Sequence, residues 1–313
     1  MTVSPRLYLR VVQIAFASLY LIIITGSLVR LTGSGLGCAD WPRCSESKFI
    51  DVSSTHTAIE QVNRLFTGAV ALSVVVAISL SLAILPKRRD LVVLSFGLVV
   101  GVLVQVILGG VVVLTGLNPF SNIAHFLVSI LLITNVYLLW QHAKIPKTKD
   151  VTPAQEVPVQ DMPARRPAPA LTDQLAIALV RAIVVLTGLA IITGTVVTGS
   201  GPHAGDENAV RIGLAISTVV RIHSSAVIML LGLTVILFFY ASKRAQIWRI
   251  LAFDLERFLA LALVQGLIGY VQYFSGIPVL LVAIHVAVSV AVWLSALSLA
   301  WHTKIPEPAA IVL

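Results

Sequence analysis

The amino-acid sequence predicts an all-α integral membrane protein: eight transmembrane helices forming two tandem four-helix bundles, related by a pseudo-two-fold axis along the membrane normal. Three observations carry that expectation. Of 313 residues, 58% are hydrophobic and only 12% are charged, a balance foreign to water-soluble domains. Long apolar runs recur, each near the roughly 20 residues needed to cross about 30 Å of hydrocarbon. The chain also repeats itself: "HAKIP" at 142–146 returns as "HTKIP" at 302–306.

The first run, near 8–30, is long and no small-residue cleavage site follows it, so it reads as a retained span rather than a signal peptide. The second, near 56–85, opens with "STHTAIEQVNRLFTG" at 53–67. That stretch puts His56, Glu60, Asn63 and Arg64 at or near the start of a buried helix, where each costs free energy. His56, Glu60 and Asn63 are spaced i, i+4, i+7 and share one face. The third run, near 91–114, carries Gln105, Gly109 and Gly110, and the fourth, near 122–141, carries His125. Residues 143–174 are rich in proline and charge and read as a cytoplasmic linker without a core, between a bundle at 1–142 and a second at 175–313. The last four runs fall near 175–198, 214–240, 251–274 and 280–301. They bring Arg221 and His223, then Gln265, Gly266 and Gly269, then His285.

The repeat extends through these polar positions. At the same offset as the two "KIP" segments, His125 in "SNIAHFLVS" falls on His285 in "LVAIHVAVS", and Gln105 on Gln265. Gly109 falls on Gly269, Thr115-Gly116 on Ser275-Gly276, and Asn63 on His223. Near the start, "ITGSLVRLTGSG" at 24–35 matches "ITGTVVTGSG" at 192–201 once two residues are dropped. Four spans return a chain to its starting side, so the two copies share one orientation and are not an inverted repeat.

The net charge of +8 is a topology signal and not a nucleic-acid footprint. Segments 1–10, 86–90, 142–174, 241–250 and 302–313 hold most of the lysines and arginines, whereas the alternate segments hold only Arg30, Arg43, Lys48 and Arg211. By the positive-inside rule both termini are cytoplasmic, in a cell membrane, and no nucleic-acid partner is expected. The two cysteines, Cys38 and Cys44, then lie in the first outer loop, on the oxidising side, where a disulfide closing a short loop is expected either as a staple or as a redox-active pair.

His125, His223 and His285 each fall in the outer third of a helix, so each half presents a site toward the outer leaflet. His223 and His285 come from the second and fourth helices of one bundle. Two imidazoles from facing helices can hold a planar iron porphyrin between them, and nearby glycines let a flat ligand slot between helices; the same glycines also serve close helix packing. Zinc and copper fit poorly, because no third or fourth ligand accompanies the pair. His142 and His302, at helix C-termini, read as inner-surface caps, and His203 as an exposed loop residue.

These residues resemble the haem A synthase family. The likeness rests on "TGSGLGCADWPRC" after the first span, "AIEQVNR" on the second, "AHF" on the fourth, "RIH" on the sixth and "AIH" on the eighth. It implies oxidation of the C8 methyl of haem O to the formyl group of haem A, for use by terminal oxidases. It also implies a haem b cofactor held by His223 and His285, with Arg221 nearby, and a substrate haem received by the N-terminal bundle at His125. The family commonly carries Glu-x-x-His-Arg on span 2; here Asn63 stands at the histidine position. The substrate iron is then held by His125 alone, or His56, about 10 Å along the helix, substitutes.

Glu60 is expected to stabilise the electron-poor methyl carbon or to deprotonate an attacking water; the alternative is an ordinary i, i+4 ion pair with Arg64. Arg64 and Arg221 are expected to pair with haem propionates. The resemblance further implies membrane lipid, a haem O synthase and terminal oxidase assembly proteins as partners, and is compatible with a homo-oligomer. Two rival functions remain: a di-haem b electron-transfer cytochrome and a small-molecule transporter.

Overall fold

A computed structural model describes residues 3–145 and 171–303. Among them are eight α-helices and no strands: α1 Pro5–Leu31, α2 Thr55–Ala83, α3 Arg89–Leu114, α4 Pro119–Lys144, α5 Gln174–Ser200, α6 Ile216–Ser242, α7 Ala245–Phe274 and α8 Val279–His302. The bulk of the expected linker lies outside the described residues, as does the end of each "KIP" segment.

Local chemistry sets the helix starts. Ser4 accepts from the Leu7 N–H and is followed by Pro5, whose fixed φ suits the first helical position. Ser54 and Thr57 form a reciprocal capping box on α2. Asn118 and Asp173 cap α4 and α5 with their side-chain oxygens. The stops of α3 and α7 are matched. Gly116 and Leu117 have φ of 61° and 60°, and Gly276 and Ile277 have φ of 79° and 59°. Leu117 N–H reaches back to Val112 O at 2.9 Å, and Ile277 N–H to Gln272 O at 2.7 Å, satisfying carbonyls that the helix end leaves open. A left-handed β-branched residue is uncommon. Its occurrence at the sequence-repeat counterpart of Leu117 makes these turns a shared structural feature of the two halves.

Among the described residues seven helices are long and apolar enough to span a membrane, which makes this a multi-pass membrane protein; α7 is the exception to the eight spans expected. Its first half carries Arg249, Asp254, Glu256 and Arg257, and it begins six residues earlier than the apolar run suggests. The buried Asp254 is compensated locally: its carboxylate accepts from Arg257 at 2.6 Å and Ser298 at 2.8 Å, and pairs with His302. His142 likewise meets Asp90 at 3.3 Å. The two helix-end histidines therefore do more than cap: each meets a carboxylate on the preceding helix.

Helix contacts fall into two sets. Helices α1–α4 pack in the cycle α1–α2–α3–α4–α1, and α5–α8 in the cycle α5–α6–α7–α8–α5. The sets meet through α1 with α8, α4 with α5 and α4 with α8. Trp293 Nε1 donates to Thr134 Oγ1 at 2.8 Å and Tyr20 to Ala287 O at 2.8 Å across that seam. The diagonals, α2 with α4 and α6 with α8, do not pack closely. Asn63 and His125 sit on the first diagonal, and His223 and His285 on the second.

Candidate functional site

In the α5–α8 set, His223 of α6 and His285 of α8 come from diagonal helices. Each ring rests against a glycine. A Cβ built on Gly194 of α5 would stand 3.2 Å from His223 Cε1, and one on Gly269 of α7 would stand 3.2 Å from His285 Cε1. Any larger residue at either glycine pushes on an imidazole. Thr193 Oγ1 lies 3.2 Å from His223 Nδ1 and already donates to the helix carbonyls of Leu189 and Ala190. With its one proton committed, the hydroxyl accepts from Nδ1–H, which leaves Nε2 unprotonated and fit to bind a metal. Gln265 fixes the other helix by donating to His285 O at 3.0 Å. His285 Nδ1 is buried without a hydrogen-bond partner among the described residues. Two imidazoles on diagonal helices, one with Nδ1 held by Thr193 and one with a buried, unpartnered Nδ1, fit the donor set of a bis-histidine haem.

Thr193 carries a prediction of its own. Thr193→Val keeps the shape and removes the side-chain acceptor of the His223 ring, leaving the Ala190 carbonyl beside it. We expect haem affinity at this pair to fall by about 10–100-fold, measured by haem retention through detergent washes, with no change in chain accumulation.

The α1–α4 set repeats this construction with one substitution. Thr25 Oγ1 donates to Asn63 Oδ1 at 2.8 Å, the counterpart of the Thr193–His223 pair. Gln105 donates to His125 O at 3.2 Å, as Gln265 does to His285. His125 faces Gly109, with a built Cβ 3.6 Å from Cε1, and its Nδ1 is buried and unpartnered among the described residues. Gly26, counterpart of Gly194, faces open space. Asn63 is shorter than histidine, and its oxygen is engaged by Thr25. The amide NH2 that remains is a donor and binds no iron. At the two diagonal positions this half offers one imidazole, His125, where the other offers His223 and His285.

The disulfide loop covers this half. Cys38 and Cys44 are joined by a disulfide. Cys38 N–H donates to Glu60 Oε2 at 2.7 Å, and Arg64 donates to Glu60 Oε1 at 2.6 Å and 3.0 Å. Arg64 also donates to the carbonyls of Cys38, Asp40 and Arg43 at 3.1–3.4 Å. The whole donor fork is thus spent on Glu60 and the loop. Glu60, only 5% exposed, is both the i, i+4 partner of Arg64 and the anchor of the disulfide. Trp41 lies over Gly110 of α3, so close that a Cβ there would fall 2.9 Å from its ring. His56 is exposed at the start of α2 and meets Ser34 at 2.9 Å, apart from the Asn63–His125 pair. Arg221 is exposed on α6, with no side-chain partner among the described residues. His203 is half-buried, and its Nε2 meets Ile277 O at 2.7 Å, so it joins two loops instead of standing free.

The family model for COX15-CtaA, cytochrome oxidase assembly protein, matches residues 10–56 and 48–205. The chain belongs to this family. The matched region contains Glu60, Asn63, Arg64, His125 and both cysteines; His223 and His285 lie beyond it. Among curated relatives, the heme A synthase of Geobacillus thermodenitrificans is 32% identical over 124 residues, 38% of this chain and 38% of that protein. The heme A synthase of Lysinibacillus sphaericus (strain C3-41) is 32% identical over 126 residues, 40% of this chain and 41% of its own. That of Listeria welshimeri is 30% identical over 121 residues, 38% and 39% of the two chains. The aligned stretches span about two fifths of these relatives' length.

Sequence reasoning missed Thr25, Thr193 and Trp41. The threonines were detectable, since both precede the glycine of a repeated "ITG". Trp41 gives no such signal, because the α5–α8 half has no matching cysteine loop.

Proposed function

We propose that this protein is a haem A synthase, which oxidises the C8 methyl of haem O to a formyl group and so supplies haem A to terminal oxidases. One observation carries the reading. The two halves share a threonine–ligand-position pair and a glutamine–histidine pair, yet only the α5–α8 half places an imidazole on both diagonal helices at these positions. A permanent cofactor suits the bis-histidine half, and a replaceable substrate suits the half with His125 alone. The names of the relatives support the reaction. On this reading residues 175–313 form the cofactor bundle and residues 1–142 the substrate bundle, related by the pseudo-two-fold axis along the membrane normal. The protein sits in the cell membrane with cytoplasmic termini and both slots toward the outer leaflet.

The cofactor is haem b, which supplies one-electron redox chemistry when bound between His223 and His285. The protein's own residues do the rest. Thr193 holds His223 in its ligating tautomer. His125 takes the iron of haem O. Turning a methyl into an aldehyde with water as the oxygen source removes four electrons and four protons, adds two waters and releases one from the gem-diol, so the reaction requires an external electron acceptor, and the carbon becomes electron-poor on the way. Glu60, held in place by Arg64 and the Cys38 N–H, supplies a fixed negative charge for that carbon, or accepts the proton of an attacking water. The disulfide anchors the loop that holds Glu60, and Trp41 closes the loop over α3 and limits water.

The test is expression of the full chain in a host that makes haem O but no haem A, followed by haem extraction and mass analysis. Haem A in the extract is the expected result. Haem O alone, with the protein present and carrying haem b, would overturn the reading.

A further inference from the structure

With Arg64 committed, the α1–α4 half needs another cation if it takes up a porphyrin dicarboxylate. Arg30 meets that need. It lies on α1, half-buried, and its side chain makes no hydrogen bond or ion pair among the described residues. A half-buried guanidinium with its donors unspent gains a charge-assisted, bidentate pair when a carboxylate docks beside it.

Its position follows from the helix. Arg30 and Gly26 are spaced i, i+4 and share a face of α1, and Gly26 faces open space where its counterpart Gly194 faces a histidine. The Thr25–Asn63 bond sets the register between α1 and α2. Arg30 rises about 7.5 Å above Thr25 toward the disulfide loop, and Glu60 about 4.5 Å above Asn63 in the same direction. The two residues thus stand at the same level, toward the disulfide-loop ends of the adjacent helices α1 and α2. From the other half, Gly205 lies on the Arg30 stem: a Cβ there would stand 3.2 Å from Arg30 Cγ. Arg30 also falls within the two residues that "ITGTVVTGSG" lacks, so the cofactor half has no counterpart.

We infer that Arg30 is the carboxylate clamp of the α1–α4 slot, binding a propionate of the incoming porphyrin and thereby setting which edge of the ring faces Glu60. The inference rests on the substrate reading of that slot. On a porphyrin the C8 methyl neighbours a propionate-bearing carbon, so gripping that propionate is a direct way to select one methyl among several.

The same guanidinium would also suit a lipid headgroup phosphate, and the experiment separates the two. Purified full-length protein carrying haem b is titrated with haem O and with haem O dimethyl ester, whose propionates are masked. Wild type is expected to bind the acid about tenfold or more tightly than the ester, as loss of a charge-assisted pair implies. Arg30→Gln should bind both forms alike, Arg30→Lys should keep most of the preference, and the haem b spectrum should be unchanged in each. If wild type binds acid and ester equally, no cation reads the propionates and the clamp is excluded whatever the variants do. Full preference retained in Arg30→Gln, with or without loss of co-purified phospholipid, would also exclude it, and phospholipid loss would assign Arg30 to lipid. A wild type that binds neither form of haem O overturns the substrate reading itself.

Discussion

Replacing His285 with alanine is expected to abolish the low-spin haem absorbance of the purified protein. His223→Ala should do the same. Imidazoles from both diagonal helices would hold the iron of a bound haem and give it a low-spin spectrum, so removal of either should abolish the band. The effect should be all-or-none for that haem, because the ring opposite is backed by a glycine with no donor atom to offer. His125→Ala should leave this signal intact and instead weaken haem O uptake. The contrast among the three variants, read from reduced-minus-oxidised spectra, assigns the cofactor to the α5–α8 half. Persistence of the low-spin band in both His223→Ala and His285→Ala would remove the cofactor site from this account.

Glu60→Gln is expected to retain haem b while haem A formation falls by about 10²–10⁴-fold, the usual cost of losing a positioned acid–base or charge-stabilising group. Unconverted haem O or a half-oxidised haem should accumulate. The amide can still accept from the Cys38 N–H or from Arg64, so the disulfide loop stays near its place; what disappears is the negative charge. Chain accumulation and haem b content report the structural role, and product analysis reports the chemical one. Normal haem A output from this variant would reduce Glu60 to the anchor of the loop.

Much of the helical frame was legible because apolar runs of membrane length need no tertiary information. The exception is instructive. The seventh apolar run read as starting at 251, but α7 extends back to Ala245 and fails as a simple span, since Asp254 and Arg257 interrupt its hydropathy. The groups that make Asp254 tolerable, Ser298 and His302, lie on α8, and no local window reveals them.

The histidines were legible through the repeat, which placed His125 over His285 and Asn63 over His223. The partners of Arg64 were not. Most are backbone carbonyls of the disulfide loop, and a carbonyl carries no residue-type signal. The arginine next to Glu60 therefore looked free for a propionate when its donors were spent, while Arg30, hidden in an apolar run, looked unremarkable.

The most direct test is the pigment content of the purified full-length protein, extracted and counted per chain. The account predicts one haem b per chain, retained through washing, together with a smaller and exchangeable amount of haem O or haem A. Two equivalent, tightly held haems b per chain would contradict it and make the protein an electron-transfer cytochrome, and an absence of haem would favour a transporter.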